Sequence, residues 1–168
     1  MVEYTRAQEI VSNLPYMAMI GLGVLILVVG SREEVKGWLA GGAYLAYGVA
    51  GALWIMVFLC PYCPHWNTRS CPCGYGRIAA KLREKKEADH FKAKFRKHIA
   101  VIVPLWFIPV LAGIFLLARS FSSLLLILLV AFAIDAFVVL PLVSRKHGCV
   151  ECPQSDSCPW MERRNCAK

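Results

Sequence analysis

Four apolar segments, each long enough to cross a bilayer as a helix, constrain this chain more than any other feature. They are Val11–Gly30, Gly37–Leu59, Ile99–Ala118 and Phe121–Val143. A spanning helix needs about 20 apolar residues. Segments of this length without a charged face have nothing to turn toward water, so buried helices of a soluble domain are the weaker alternative. The sequence therefore predicts an all-α integral membrane protein with four spanning helices.

The composition agrees with this class. Hydrophobic residues make up 58% of the 168 residues and charged residues 18%, and the mean hydropathy is +0.52. Soluble domains average about 45–50% apolar and about 25% charged residues. These values exclude an ordinary water-soluble globule, a disordered chain and a collagen-like fibre. The length allows one domain.

The connections between the spans are short on one side of the membrane. Ser31–Lys36 joins the first two helices, and Arg119–Ser120 joins the last two. Such short links predict two antiparallel hairpins in a four-helix bundle. The first segment lacks a cleavage site, and we expect it to be retained as a helix. The chain then divides into a first transmembrane hairpin (1–59), a first cysteine loop (60–76), a basic segment (77–98), a second transmembrane hairpin (99–143) and a C-terminal cysteine tail (144–168).

The basic residues predict the orientation. Of the 19 Lys and Arg residues, all but Arg32, Lys36 and Arg119 lie on the side that carries both termini and the long middle loop. Short, positively charged loops stay in the cytoplasm. We therefore predict that both termini and all eight cysteines face the cytosol.

The eight cysteines fall in two clusters, one after each hairpin. Both clusters follow the frame C-x-x-C-P, a short polar loop, then S-C-P. This shared frame indicates a weak internal duplication, with two parallel repeats related by an axis along the membrane normal. The first cluster contains Cys60, Cys63, Cys71 and Cys73, and the second contains Cys149, Cys152, Cys158 and Cys166.

Clustered cytosolic thiols favour metal binding, because structural disulfides are rare in that compartment. Two groups of four predict two tetrathiolate sites, although pairs from the two clusters are also able to share a site. The Cys-Pro dipeptides resemble those of bacterial ferredoxins, without the C-x-x-C-x-x-C order, and imply iron–sulfur clusters. Zinc is the alternative, since Cys71–Gly74 is similar to half of a zinc knuckle shortened by one residue. Thiol–disulfide exchange or soft-metal handling is the third interpretation.

Histidine adds little to these interpretations. Covalent haem does not fit, because Pro64 separates Cys63 from His65 where the attachment motif needs histidine. No histidine lies within a predicted span. His98 and His147 flank the second hairpin as spare ligands or, more simply, as interfacial side chains.

The segment Arg77–His98 is basic, with nine Lys or Arg residues against three acidic ones. It contains no proline or glycine, and we predict that it is helical, with a bend near Ala88–Asp89 or a division into two short helices. The simpler interpretation places it along anionic lipid headgroups. The more specific interpretation is that the segment forms a docking surface for an acidic redox partner. Nucleic acid is not an expected partner, because no recognition module is present.

Asp135 is the one charged residue in the predicted spans, about 12 Å from the cytosolic end of its helix by helical rise. An ionisable group within a span is costly and usually faces the interior of the bundle. It is either a protonated hydrogen-bond partner of Tyr44 or Tyr47, or a relay that delivers protons to a quinone. Two strips of small residues on the second span, one with Gly42 and one with Gly48, mark that helix as the centre of the bundle.

The leading functional hypothesis is a small membrane redox protein. Its cytosolic iron–sulfur clusters accept electrons from a redox protein and pass them to a membrane carrier, such as a quinone, or to a partner subunit. The second hypothesis is non-enzymatic, with two zinc sites that clamp a membrane scaffold or anchor subunit. Whether the protein is an enzyme stays open at this stage.

Overall fold

The computed structural model describes residues 3–31 and 33–146, and this part of the chain is helical without a β-strand. The elements in chain order are α1 (Arg6–Gly30), α2 (Glu34–Phe58), α3 (Tyr75–Leu82), α4 (Phe91–Ile102), α5 (Pro104–Arg119), α6 (Ser123–Ile134), a π-helical segment (Asp135–Val139) and α7 (Leu140–Ser144). The predicted fold class is therefore confirmed as all-α.

Four helical stretches are long and apolar enough to cross a membrane. They are Arg6–Gly30, Glu34–Tyr62, Ala88–Arg119 and Ser123–Ser144. Each contains most or all of one predicted span. The third is longer than predicted, because α4 runs on from the basic segment and only Val103 separates it from α5. The described residues thus contain four candidate membrane-spanning helices.

The basic segment forms two helices instead of one bent helix. α3 ends at Leu82, residues 83–87 belong to no helix, and a short 3-10 turn at Ala88–His90 leads into α4. The sequence predicted a break near Ala88–Asp89, so the helix stops about five residues earlier than expected.

The chain divides into two compact units. One, here called the apolar unit, comprises Leu14–Gly51 and Val101–Pro141. The other, here called the cysteine unit, draws its described residues from Met1–Asn13, Ala52–Ala100 and Leu142–Lys168.

The core of the apolar unit contains side chains from all four spans. Its fully buried members are Met19 and Ile26 of α1, Tyr44 of α2, Leu105 of α5, and Leu125, Phe132 and Ala136 from α6 and the π segment. Large apolar side chains cover the outside as well, and Leu111 and Ile127 are 66% and 64% exposed. An exterior this apolar suits contact with lipid chains.

Small residues bring α1 and α2 together along one of the two predicted strips. A Cβ atom at Gly48 would lie 2.6 Å from the Ile20 side chain, and one at Gly41 would lie 2.9 Å from Val28. A Cβ atom at Gly42 would meet nothing within 4 Å. Only the strip with Gly41 and Gly48 therefore packs against α1, as close helix approach requires.

A proline inside α5 leaves one backbone carbonyl without its N–H donor, and a tyrosine hydroxyl donates to that carbonyl instead. Pro109 has no N–H to donate to the carbonyl of Leu105, one turn earlier. The Tyr44 hydroxyl donates to that carbonyl at 2.8 Å. Its ring crosses Gly23, where any Cβ would lie 2.3 Å from the ring. Tyr47 similarly donates to the carbonyl of Val101, at the break between α4 and α5.

A second proline produces the π segment. The Leu140 N–H donates to the carbonyl of Asp135, five residues back. Pro141 has no N–H for the next carbonyl, that of Ala136. The indole N–H of Trp106 donates to this carbonyl at 3.1 Å. The wide turn also relieves the clash that a proline ring makes with the carbonyl four residues earlier.

Replacing Trp106 with phenylalanine is expected to lower the free energy of unfolding by about 1 kcal/mol, because the Ala136 carbonyl loses its donor in an apolar environment. The measurement is reversible unfolding in mixed micelles. In a Pro141→Ala background the new N–H serves that carbonyl, so Trp106→Phe should cost clearly less. Equal losses in the two backgrounds would contradict this account of the π segment.

Candidate functional site

The first cysteine pair lies where α2 ends. The N–H groups of Tyr62 and Cys63 donate to the carbonyls of Leu59 and Cys60, at 3.1 and 3.0 Å, and form a 3-10 turn. Pro61 occupies the first turn, where its missing N–H costs nothing. Residues three apart in a 3-10 turn lie on the same face. The C-x-x-C spacing therefore presents Cys60 and Cys63 in one direction.

The second pair lies in a tight turn before α3. The Gly74 N–H donates to the Cys71 carbonyl at 3.1 Å, and Gly74 has a positive φ of 72°, which glycine adopts without strain. The Gly76 N–H donates to the Cys71 sulfur at 3.4 Å. A Cβ at Gly76 would lie only 2.6 Å from the His65 carbonyl oxygen, so this approach also requires glycine.

The first turns of α1 hold this loop in place. The carboxylate of Glu9 pairs with the Arg77 guanidinium through both oxygens, and only 13% of the Glu9 side chain is exposed. The amide of Asn13 donates to the Cys73 carbonyl at 3.0 Å and to the Glu9 carbonyl at 2.8 Å. These contacts form a brace that positions the second cysteine pair from the N-terminal side.

The basic segment contacts the same loop from its other end. The Lys86 N–H donates to the Pro61 carbonyl at 2.9 Å. The ammonium groups of Lys86 and Lys94 lie 5.5 and 5.7 Å from the centroid of the Tyr62 ring, within cation–π range. Positive charge therefore surrounds the turn that carries Cys60 and Cys63.

The structure brings all four thiols of the first cluster into one loop. None of them forms a disulfide with another described cysteine, each is partly buried, and Cys60 lies within electrostatic range of Cys63, Cys71 and Cys73. Within residues 3–31 and 33–146, however, no three His, Cys, Asp or Glu side chains stand as a metal coordination shell. The loop supplies ligands near one another, and binding a metal would require their side chains to rotate.

Two consecutive side chains of this loop carry buried polar atoms without a hydrogen-bond partner. They are Nδ1 of His65 and Nε1 of Trp66. His65 is 7% exposed, and this burial lowers its pKa, so the imidazole is uncharged at neutral pH. A neutral imidazole nitrogen is a metal ligand as well as a hydrogen-bonding group.

Asp135 begins the π segment of the apolar unit. Its Oδ2 atom is buried and has no hydrogen-bond partner. Tyr44 and Tyr47, its predicted structural partners, donate to backbone carbonyls instead. The structure therefore pairs Asp135 with neither tyrosine.

The second cluster, Cys149, Cys152, Cys158 and Cys166, lies outside the described residues, and so does His147. His98, the other spare ligand considered from the sequence, stacks on Phe58 with ring centroids 5.2 Å apart. Whether the two clusters form separate or shared sites stays a prediction.

Sequence reasoning missed the brace and the burial of His65. The signal for Glu9 was its acidic charge just before an apolar span, but nothing local pointed to Arg77, 68 residues away. His65 was weighed only against a haem motif. No family model, curated protein or solved structure matches the chain.

Substituting Gly76 with alanine is expected to loosen the cysteine loop, because the new methyl group overlaps the His65 carbonyl. Overpacking costs about 1–3 kcal/mol, so the opened loop becomes roughly tenfold more populated or more. Hydrogen exchange of the amides in residues 59–82 measures this opening. Gly42→Ala is the matched control, since its Cβ enters open space. Equal protection in the two variants would contradict the close approach.

Proposed function

We propose that this protein is a small integral membrane metalloprotein whose two cytosolic cysteine clusters hold metal–thiolate centres. We assign the centres as iron–sulfur clusters that pass electrons to a membrane carrier or partner subunit. The observation that carries this proposal is the first loop, where four cysteines that form no disulfide with one another share one braced backbone and Cys71 already accepts a hydrogen bond from Gly76. Such N–H···S bonds stabilise a thiolate and tune a bound cluster.

The proposed membrane arrangement is a four-helix bundle of two antiparallel hairpins. The shared core of the apolar unit and the short links after α1 and α5 support it. The excess of Lys and Arg assigns the cysteine loops to the cytosol. The same basic residues, with Lys86 and Lys94 beside Tyr62, provide a surface for an acidic redox partner.

Asp135 fits the proposal as a proton relay. Reduction of a quinone to a quinol takes two electrons and two protons. The clusters would supply the two electrons, and the Asp135 carboxyl would give a proton to a quinone oxygen and recover one from the cytosolic side, once for each of the two protons. The unpartnered Oδ2 atom supports this role over that of a structural hydrogen-bond partner.

The second candidate is a zinc-stabilised membrane scaffold. The turn from Cys71 to Gly76, with its left-handed glycine and N–H···S bond, also suits a zinc knuckle. In that case the metal would tie the brace from α1 to the end of α2 and add stability without redox chemistry. Thiol exchange or soft-metal handling is the remaining alternative.

Metal analysis of anaerobically purified protein tests the assignment. We expect a brown protein that contains iron and acid-labile sulfide. Replacing Cys60 and Cys63 by serine should remove about half of the iron, and replacing Cys149 and Cys152 should remove the other half. Loss of all iron in either variant would indicate shared sites. Colourless protein with zinc would support the scaffold, and metal-free protein with reversible disulfides would support thiol exchange.

Asp135→Asn should abolish quinone-linked turnover while iron content stays at the wild-type level, because asparagine cannot release a proton. Asp135→Glu is the matched control and should retain measurable turnover. The assay follows quinone reduction in membranes supplied with a reductant. Wild-type turnover in the asparagine variant would return Asp135 to a structural role.

A further inference from the structure

The first cysteine loop contains two consecutive side chains, an imidazole and an indole, that each have a buried nitrogen without a hydrogen-bond partner. His65 presents a buried nitrogen and Trp66 a buried N–H, both without a hydrogen bond. A buried polar atom without a hydrogen bond destabilises the fold that contains it. These two groups, next to Cys63 in the chain, suit a ligand that accepts an electron pair from the imidazole nitrogen and a hydrogen bond from the indole N–H. A metal bound to thiolate or sulfide has both properties.

The backbone of His65 is fixed in this place. Its carbonyl accepts the Thr68 N–H at 3.3 Å and the Thr68 hydroxyl at 3.0 Å. The same carbonyl lies so close to Gly76 that no side chain fits between them. A Cβ atom at Gly76 would also lie 3.5 Å from the Cβ of Cys71, so the His65 backbone is held close to the second cysteine pair, and the imidazole would reach a shared centre by rotation of its own side chain.

We propose that His65 is a ligand of the first metal centre, which it binds through Nδ1 together with thiolates of the first cluster. The inference rests on the proposed metal–thiolate function and adds a nitrogen ligand to it. Trp66 donates its indole N–H to a sulfur atom of the same centre. The thiol and imidazole side chains rotate into the coordination shell when the metal binds.

The second cluster has a different residue at the matching place. The frame C-x-x-C-P is followed by His65 in the first cluster and by Gln154 in the second. The two clusters therefore differ at this position, with an imidazole in the first and a side-chain amide in the second. An uncharged imidazole in place of an anionic thiolate raises the reduction potential of an iron–sulfur centre. Electrons then pass from the second centre to the first.

The test uses the full-length protein, purified anaerobically and reduced, with the second centre removed by Cys149→Ser and Cys152→Ser. Pulsed electron paramagnetic resonance is expected to detect a ¹⁴N coupling that changes to a ¹⁵N coupling when the histidines are isotopically labelled. His65→Gln, which copies the second cluster, should lose this coupling. His90→Gln is the control, because His90 is exposed beside Glu87, and it should keep the coupling.

Each result decides between the inference and the function on which it rests. Protein without any metal overturns the proposed function. Iron-loaded protein without a histidine coupling, or with a coupling that survives His65→Gln, overturns the ligand assignment alone. The isotope comparison needs no variant at position 65, so the absence of a histidine coupling overturns the ligand assignment even if His65→Gln folds poorly. If the metal is zinc, X-ray absorption replaces resonance, and the imidazole nitrogen shell should be lost in His65→Gln.

Discussion

The apolar unit depends on one constraint, which is that a carbonyl freed inside hydrocarbon must find another donor. Pro109 and Pro141 each remove an N–H from a span, and Tyr44 and Trp106 supply the replacements. Each replacement donor comes from another span, so the carbonyl that lost its N–H partner in one span forms a hydrogen bond to a second span. Prolines that would weaken an isolated helix thereby help to fix which helices lie side by side.

The cysteine unit relies on a different set of contacts. Few of its described apolar side chains are buried, with Pro61 and Ala79 among them, and its cysteine loop is held by polar bonds from both ends. Glu9 and Asn13 secure the second pair of cysteines, and Lys86 secures the turn of the first pair. These bonds fix the backbone that carries the four cysteines of the first cluster.

Length and hydropathy were enough to predict the four spans, because the cost of placing a charge in lipid acts on each segment separately. The position of the break in the basic segment was predicted only approximately, because residues 83–87 contain no proline or glycine to mark the end of a helix. Of the two small-residue strips, sequence could not tell that only the strip with Gly48 meets α1. That choice depends on the facing Ile20 side chain.

The grouping of the first four cysteines in one loop was predictable from the sequence, and the surroundings of that loop were not. The C-x-x-C and C-x-C spacings identified the thiols of the first cluster directly. The pairing of Glu9 with Arg77, the partners of Tyr44 and Tyr47, and the burial of His65 all join positions far apart in the chain or depend on packing. Pattern reasoning along a single chain has no access to such contacts. The metals themselves and the second cluster stay predictions.

The ion pair between Glu9 and Arg77 has a consequence for membrane insertion. Two groups in contact lie on the same side of a bilayer, whose hydrocarbon core is about 30 Å thick. The chain between them must therefore traverse the membrane an even number of times. If only one of α1 and α2 inserted, the two charges would lie on opposite sides of the membrane and the cysteine loop would lose its brace. The ion pair therefore forms only when α1 and α2 share the same outcome of insertion, and only after residue 77 has been synthesised.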